Sequence, residues 1–325
     1  MRFVKLAKNV LRRREILLVG MVLVITVVMS FLKSTFLTTP NMMSLILGLS
    51  ADGFVAIGMT LILISGQIDL TVGSVQCLAS VIVGALYVRG MNIWLAALLA
   101  LVVCVCIGAI TGTLVAKMSN MTPFIITLGM MGVIRGICYI ITKGTSITVT
   151  GERIRQFRFL GGGYVGFLPM FFLLLLIAIV VAQFLLRNTK FCAKTFFIGS
   201  NVKAAELAGI NVSRTKIILY MISALCAAMA GVLCTGRFGV SSPILGVNAE
   251  SRAITAAVVG GTTMHGGEGT MVGTLFGLIL IHFISNALVQ LGVSVYWQDF
   301  ASNMLLLTVL VIDSYTRTKR ERSLA

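Results

Sequence analysis

The stretch LISGQIDLTVGSV, residues 63–75, places a glutamine, an aspartate and two glycines between two long apolar runs. Asp69 lies where a membrane-spanning helix would still be in hydrocarbon, or only just leaving it. At that depth every backbone polar group needs a partner, so non-helical backbone survives only inside protein or beside a water-filled cavity. The stretch therefore predicts a break between two helices, with Gly66 and Gly73 relieving the backbone.

Two interpretations of Asp69 are open. A membrane carboxylate that is neither paired nor hydrated is costly, so the side chain either lines a polar path or caps the helix that follows. Capping would act through Thr71 and the next amides, and we favour it because aspartate is common just before a helix start. Gln67, two residues earlier, is a second candidate for the lining of a path.

The composition is that of a polytopic membrane protein. Of its 325 residues, 58% are hydrophobic and 11% charged, whereas a soluble domain carries about 25% charged residues. Most of the apolar segments can cross about 30 Å of hydrocarbon, although the eighth is too short to span alone. We expect an all-α integral membrane fold with about ten transmembrane segments, including short or broken helices. The segments are residues 16–32, 43–65, 72–88, 93–115, 122–142, 166–186, 216–235, 250–262, 271–291 and 299–313.

The basic residues indicate a topology. With the N-terminus in the cytoplasm, 17 of the 26 Lys and Arg residues fall on the inner side and seven on the outer side. Because cytoplasmic loops carry the excess of Lys and Arg, this distribution favours both termini inside. One outer loop runs against the trend with four cations, Lys143, Arg153, Arg155 and Arg158.

The chain divides into three predicted regions: a basic cytoplasmic N-terminus at 1–15, one transmembrane domain at 16–313 and a basic cytoplasmic tail at 314–325. The first apolar run follows three arginines but lacks a small-x-small cleavage site, which predicts an uncleaved anchor. The net charge of +16 is concentrated at the ends and in a few loops, without aromatic interleaving. We therefore expect contact with membrane lipid and no nucleic-acid partner.

A second interruption, VVGGTTMHGGEGTMVGTLFG at residues 258–277, looks like the first. Glu268 and Thr270 repeat the spacing of Asp69 and Thr71, and a glycine follows in each break, Gly73 in the first and Gly273 in the second. Paired glycine-interrupted segments in the two halves of a transporter point to its working region. The broken-helix glycines are Gly66, Gly73, Gly260, Gly261, Gly266 and Gly267.

Glycines also recur at small-xxx-small spacing, which lets helix backbones approach closely. This pattern predicts helix packing and no particular activity. The sets are Gly108 with Gly112, Gly132 with Gly136, and Gly269 with Gly273 and Gly277.

The sequence contains no motif typical of a catalytic, nucleotide-binding or metal site. Gly267 stands where a phosphate-binding P-loop needs lysine, and two histidines are too few for a metal cluster. The seven cysteines are single and suggest small packing residues. His282, in mid-helix, is better interpreted as a hydrogen-bonded packing residue than as a proton relay. We expect no catalytic residue, no metal and no cofactor bound by this chain.

The longest inner loop, residues 187–216, contains a predicted short helix from Val202 to Ala208. Asn201 can cap its start and Gly209 can end it. Two interpretations are open for this helix: an amphipathic turn resting on lipid headgroups, or a docking element for a cytoplasmic partner.

Four stretches resemble the permease subunits of ribose-type sugar ABC importers, the family that serves ribose, xylose, arabinose, galactose and autoinducer-2. The resemblance runs from about Asn41 to Asp313. It does not specify the sugar. The stretches are AIGMTLILISGQIDLTVGSV, GSNVKAAELAGINVSRTKIILY, AAVVGGTTMHGGEGTMVGT and NALVQLGVSVYWQ.

The resemblance implies partners and a mechanism. A second permease copy or paralogue, two cytoplasmic ABC ATPases holding ATP and Mg, and an extracytoplasmic sugar-binding protein would complete the importer in the bacterial cytoplasmic membrane. The loop resembles the E-A-A-x-x-x-G coupling motif through Ala204, Ala205 and Gly209, with Lys203 in place of the acid. A second departure is Ser251-Arg252, where relatives tend to have an acidic or apolar pair.

Polar residues that match sugar hydroxyls would line a substrate path, because lost water hydrogen bonds must be replaced. The competing hypothesis is a proton- or sodium-coupled secondary transporter, which leaves the short helix of the inner loop unexplained. A scaffold or channel fits the two breaks poorly. The path candidates are Gln67, Asp69, Glu250, Asn286 and Gln298; the coupling candidates of the competing hypothesis are Asp52, Asp69, Glu268 and Asp299.

Overall fold

A computed structural model describes residues 14–118, 120–151 and 154–294, with nine further positions between 296 and 311. The fold is helical, with two pairs of two-residue strands. The helices are α1 Arg14–Leu32, α2 Thr39–Ile64, α3 Val72–Val88, α4 Ile93–Lys117, α5 Pro123–Thr142, α6 Arg155–Gly162, α7 Met170–Asn188, α8 Lys190–Ser200, α9 Val202–Leu207, α10 Val212–Phe238, α11 Ala249–Val259 and α12 Met271–Gln290; the strands are β1 Ile147–Thr148, β2 Tyr164–Val165, β3 Leu168–Pro169 and β4 Val240–Ser241.

Seven helices of the described residues are long and apolar enough to cross a membrane: α1, α2, α4, α5, α7, α10 and α12. The third expected segment forms α3, an apolar helix of 17 residues, and the eighth forms α11, of 11 residues. Both are short because each adjoins a glycine-containing break. The tenth expected segment, 299–313, falls largely outside the described residues.

Two spans form the centre of the bundle. The most apolar windows of α2 and α10 are 78% and 61% buried, against 33% or less in the other five spans. α10 packs along α2, α3 and α4. A Cβ at Gly108 would lie 2.6 Å from the Tyr220 carbonyl, and one at Gly112 would lie 2.8 Å from the Ile217 Cα. The packing predicted from this glycine pair is therefore confirmed.

The other predicted glycine pairs differ. Gly273 abuts the Gly260 carbonyl and Gly277 abuts the Ala256 carbonyl, which joins α11 to α12. Gly132 and Gly136 on α5 have nothing within 4 Å of their Cβ positions among the described residues. The small-xxx-small pattern thus marks contacts within the chain on α4 and α12, and an open face on α5.

We name the two ends of the bundle after the short helices that lie there. At the α9 end, α2 ends near α8 and the start of α12. At the opposite end, called the α6 end, Asn41 and Asn286 exchange side-chain hydrogen bonds of 2.9 and 2.8 Å, and β1 pairs antiparallel with β4. Gln290 donates to Asn41 Oδ1 over 2.7 Å.

Candidate functional site

The first break, residues 65–71, joins α2 to α3. α2 ends at Ile64, and Gly66 follows with φ +71°, a backbone conformation that a residue with a Cβ rarely adopts. Oδ1 of Asp69 accepts hydrogen bonds from the Thr71 amide over 3.0 Å and from the Thr71 hydroxyl over 2.6 Å. The aspartate therefore closes the turn immediately before α3.

Asp69 also joins the break to the central helix α10. Its Oδ2 accepts a hydrogen bond of 2.8 Å from the Ser223 hydroxyl, and Tyr220 Oη donates to the Ile68 carbonyl over 3.0 Å. The aspartate is 1% exposed. A carboxylate with three short hydrogen bonds is satisfied without substrate or water. The bonds from Thr71 are part of what the capping interpretation predicts, but no side chain of the described residues caps the amides that follow Thr71 in α3. Sequence reasoning missed the tertiary bond to Ser223.

The second break, residues 260–270, joins α11 to α12 and has a different construction. The Thr270 hydroxyl accepts from the Gly273 amide over 3.0 Å and so caps α12 directly. Thr263 Oγ1 donates to the Gly266 carbonyl over 2.8 Å. Glu268 is exposed. The acid and threonine thus exchange roles between the breaks: the acid is the acceptor in the first, the threonine in the second.

The α8–α9 segment, residues 190–211, contains the helix predicted in the inner loop. Asn201 Oδ1 accepts from the Ala204 amide over 3.0 Å, and α9 runs from Val202 to Leu207 before Gly209 with φ +77°. The predicted helix, its cap and its terminating glycine are confirmed to within one residue.

One face of α9 packs against the rest of the α8–α9 segment, and the opposite face is exposed. Ala205 is 2% exposed and packs in a small cluster with Ile198 and Val212. Leu207 points away from that cluster and is 92% exposed, next to the exposed side chains of Lys203 and Ala204. Ala205 therefore attaches α9 to the rest of the segment, and Leu207 is the apolar group it presents. The sequence motif gave no signal for Leu207.

The end of α8 lies between the two breaks. The Gly267 amide donates to the Ile64 carbonyl over 2.8 Å, which joins the second break to the end of α2. A Cβ at Gly199 would collide with that same carbonyl, and it would lie 2.5 Å from the Gly267 amide nitrogen. A Cβ at Gly266 would lie 2.7 Å from both Gly199 and the Gly66 amide. We call this cluster of backbone contacts the glycine junction.

The glycine junction forms one mechanical unit from three parts of the chain. Backbone in direct contact transmits displacement, because no flexible side chain lies between the parts. Gln183 on α7 adds a further link, since its Oε1 accepts from the Met271 amide over 2.9 Å. A movement of α9 would therefore reach the end of α2 and the start of α12 together. The arrangement can transmit force; it contains no reacting groups.

The buried carboxylate of Asp52 is ion-paired. Arg252 on α11 holds Asp52 on α2 through Nε and Nη2, at 2.7 and 3.1 Å. His282 on α12 places Nε2 3.2 Å from Asp52 Oδ2. The Arg252 departure from the family pattern is thus half of an ion pair that joins three helices. The sequence signal for this pair was the presence of one acid, Asp52, and one base, Arg252, within apolar segments, because charged residues inside a membrane usually pair with one another.

A second intramembrane arginine is also satisfied. Arg135 on α5 donates through Nη1 to the carbonyls of Pro243 and Leu245, over 3.0 and 2.7 Å. It therefore holds the turn before α11. Arg135 lies within the expected apolar segment 122–142, and its acceptors are 108 and 110 residues away, beyond the reach of any sequence spacing.

The predicted path residues do not all lie together. Gln67 and Asp69 lie at the first break, and Glu250 Oε2 is 2.5 Å from the position of a Cβ on Gly73. Asn286 lies at the α6 end in the pair with Asn41. Gln298 lies outside the described residues. Gln67 Oε1 is buried without a hydrogen-bond partner among the described residues, so Gln67 keeps an unused acceptor.

Comparison with known proteins identifies relatives over most of the chain. Residues 41–310 match the family described as the permease component of the branched-chain amino acid transport system. The ribose import permease protein RbsC of Bacillus subtilis is 35% identical over 89% of this chain and 89% of its own length. RbsC of Haemophilus influenzae is 33% identical over 92% of both chains. The L-arabinose ABC transporter permease protein AraH of Azospirillum brasilense is 31% identical over 93% of this chain and 88% of its own.

No solved structure matches the chain. The seven spans and the relatives make it a multi-pass protein of the bacterial cytoplasmic membrane. The chain belongs to the family of ABC-importer permease subunits that includes the ribose import permeases.

Proposed function

We propose that this chain is the transmembrane permease subunit of an ATP-driven importer for a monosaccharide or a similar small polyol. Named relatives import ribose and arabinose. The observation that carries the proposal is the α8–α9 segment, in which an exposed apolar side chain is linked through the glycine junction to both breaks.

The partners follow from that assignment. Two copies of the permease, or this chain and a paralogue, would bind two cytoplasmic ATPases that hold ATP and Mg, and a sugar-binding protein would deliver the substrate outside. When ATP closes the ATPase pair, the two α8–α9 segments approach each other. The glycine junction passes that movement to α2 and α12, which changes the access of the path.

The exposed face of α9 supports protein docking over a position in lipid. Leu207 has Glu206 beside it and Lys203 one turn earlier, all exposed. A large exposed apolar side chain with charged residues at its edge resembles the apolar core and polar rim of a protein interface. An interfacial helix would carry a continuous apolar stripe on its exposed side.

The docking surface can be tested at Leu207. Leu207→Ser should weaken the affinity of the permease for the ATPase about thirtyfold and lower the amount that co-purifies, since truncating a central interface residue costs about 2 kcal/mol. Ala208→Ser, at the exposed residue that immediately follows α9, is the matched control and should co-purify normally. Equal recovery with both variants would refute docking at this face.

Two other substitutions test docking less cleanly. Ala205→Glu would put a charge into the small apolar cluster, and Gly209→Pro would impose a negative φ where the chain needs +77°. Both should abolish ATPase association with membrane insertion intact, but through displacement of α9 rather than through loss of a contact.

Energy coupling decides between the two transport classes. Among the described residues, Asp52 is ion-paired and Asp69 fully hydrogen-bonded, while Glu268 is exposed; Asp299 lies outside them. These contacts support ATP hydrolysis by a partner, and not a proton or sodium gradient, as the energy source. Uptake into vesicles containing the complete transporter should require ATP and survive an ionophore. Uptake that persists without ATP and collapses with the ionophore would establish a secondary transporter.

We further propose that both termini are cytoplasmic and that α3, α11 and the segment at 299–313 bring the membrane domain to about ten segments. The distribution of Lys and Arg supports this orientation. A reporter fused at the C-terminus should be active only as a cytoplasmic fusion; activity of a periplasmic reporter there would reverse the topology.

A further inference from the structure

A basic cleft lies at the α6 end of the bundle, far from the glycine junction. It has a volume of about 970 Å³ and opens between α6 and the end of α10. Three arginines line it, Arg155 and Arg158 from α6 and Arg237 from α10, together with Gln156. We call this the arginine cleft. Nothing in the transport mechanism above uses it.

The arginines are not neutralised by the rest of the described chain. The ion pairs found among the described residues all involve Asp52, which is on α2 and is bonded to Arg252. Arg237 contacts the ring of Phe238, with the guanidinium carbon 4.7 Å from the ring centroid. Three guanidinium groups therefore face one cleft with no acidic partner in the part of the chain that the structure describes. Such a site attracts an anion.

The walls of the cleft are fixed by close backbone packing. A Cβ at Gly161 would collide with the Leu233 carbonyl and with the Arg237 amide nitrogen. Phe157, 2% exposed, stacks edge-on against Trp94 with ring centroids 5.6 Å apart. α6 is thus held tightly on α10 by its buried face, while its two arginines stay on the open side. The two helical walls of the cleft are therefore preorganised.

Exposed aromatic residues accompany the cleft. Phe159 lines it, Trp94 contacts Phe157 of α6, and the lining residues Gly163 and Arg237 are followed by Tyr164 and Phe238; all of these rings except Phe157 are exposed. We call these exposed rings the aromatic rim. Aromatic rings combined with cations at the end of membrane spans are typical of the headgroup level of a bilayer. A dissolved inorganic anion has no apolar part that could contact these rings, whereas a lipid has one. The cleft also accounts for two of the four outer cations that oppose the topology rule, Arg155 and Arg158; Arg153 lies outside the described residues.

We propose that the arginine cleft binds the phosphate of an anionic phospholipid headgroup. Guanidinium groups bind phosphate oxygens through paired, charge-assisted hydrogen bonds, and the aromatic rim would contact the glycerol and the first methylenes of the acyl chains. The bound lipid would anchor α6 and the end of α10 at the membrane surface. The inference rests on the placement of the α6 end at a membrane surface and is independent of the transported sugar.

The test uses the full-length permease in neutral detergent, mixed with equal amounts of phosphatidylglycerol and phosphatidylcholine of the same chain length. Native mass spectrometry measures the lipids that stay bound. Arg155→Gln with Arg158→Gln should lower the phosphatidylglycerol-to-phosphatidylcholine ratio about tenfold, because lost charge-assisted bonds weaken binding by that order. Both residues are exposed, so the variant should fold.

The matched control removes the same charge from exposed residues in the connections between other spans, by Lys33→Gln with Arg89→Gln, and should keep the wild-type ratio. Three results would overturn the proposal. The first is an unchanged ratio in the double arginine variant. The second is displacement of phosphatidylglycerol by inorganic phosphate at the concentration at which a short-chain phosphatidylglycerol displaces it, which would mean a site for dissolved anions. The third is a lipid preference that survives while association with the sugar-binding protein is lost, which would mean a protein-docking surface.

Discussion

The two breaks read almost alike in sequence and differ in construction. Asp69 is buried and joined by three hydrogen bonds to Thr71 and Ser223. Glu268, at the equivalent spacing, is exposed, and the cap of its helix is supplied by Thr270. The first break is therefore attached to the centre of the bundle, whereas the second is attached through its glycines to the end of α8.

The difference shows what a shared spacing of acid and threonine, followed by a glycine, can mean. Either the acid or the threonine can satisfy the amides at a helix start, so the pattern predicts a capped helix without saying which side chain caps it. The remaining side chain is then free for another purpose. In the first break the acid also makes a tertiary bond to α10; in the second the acid faces outward at the α9 end.

The largest effect on this comparison should come from Asp69→Ala. It removes the acceptor of three buried hydrogen bonds, and unsatisfied buried donors should destabilise the bundle by about 3 kcal/mol or more. Thermal unfolding in detergent measures the loss, and Glu268→Ala is the matched control at the second break. Equal melting temperatures for the two alanine variants would remove the distinction between the breaks.

Asp69→Asn sharpens the same point. An amide oxygen can still accept from Thr71, and the amide NH₂ can donate to the Ser223 hydroxyl, so stability should fall by less than about 1 kcal/mol. Transport should fall no more than stability does. A stable variant that has lost uptake would show that Asp69 lines the substrate path, which is the interpretation we did not favour.

Ser223→Ala tests the tertiary bond alone. The turn before α3 keeps both bonds from Thr71, while one carboxylate oxygen loses its donor, so we expect destabilisation of about 1–2 kcal/mol. The double variant Asp69→Asn with Ser223→Ala should be less destabilised than the sum of the singles, because both remove one interaction. Strict additivity would mean that the two side chains are not coupled.

The second break should respond weakly to changes in its polar side chains. Thr270→Ala removes the cap of α12 and should destabilise by about 1 kcal/mol, whereas Glu268→Gln, at an exposed site, should change stability by less than about 0.5 kcal/mol. Both are measured by thermal unfolding. A larger loss from Glu268→Gln than from Thr270→Ala would mean that the acid has a structural partner after all.

Local chemistry made much of the fold predictable. The apolar runs, the break at Asp69, the Asn201 cap and the helix ended by Gly209 all follow from contacts within a few residues. The bond from Asp69 to Ser223 and the pairing of Asp52 with Arg252 span 154 and 200 residues. Such pairings depend on how helices are arranged, which periodicity alone does not encode.

The glycine junction could not be predicted from the sequence for a different reason. The glycines of both breaks were recognised as backbone relief, but Gly199 lies at the end of a helix in the loop and fits no spacing pattern. Its function comes from the absence of a side chain where three backbones meet. Leu207 escaped notice because the resemblance drew attention to the alanines and glycine of the motif, and Ala205 proved to face inward.

The central claim is that movement of the α8–α9 segment reaches both breaks through the glycine junction. The direct test is the amount of sugar transported per ATP hydrolysed by the reconstituted transporter carrying Gly199→Ala. Gly132→Ala, whose Cβ would meet nothing within 4 Å, is the matched control, and recovery of folded, ATPase-bound complex is checked for both. We predict that the Gly199 variant binds its ATPase and hydrolyses ATP but transports at least about tenfold less sugar per ATP than the control, because the added methyl group must separate α8 from Ile64 and Gly267. A tenfold loss corresponds to about 1.4 kcal/mol. Wild-type transport per ATP in a folded Gly199→Ala complex would contradict the account.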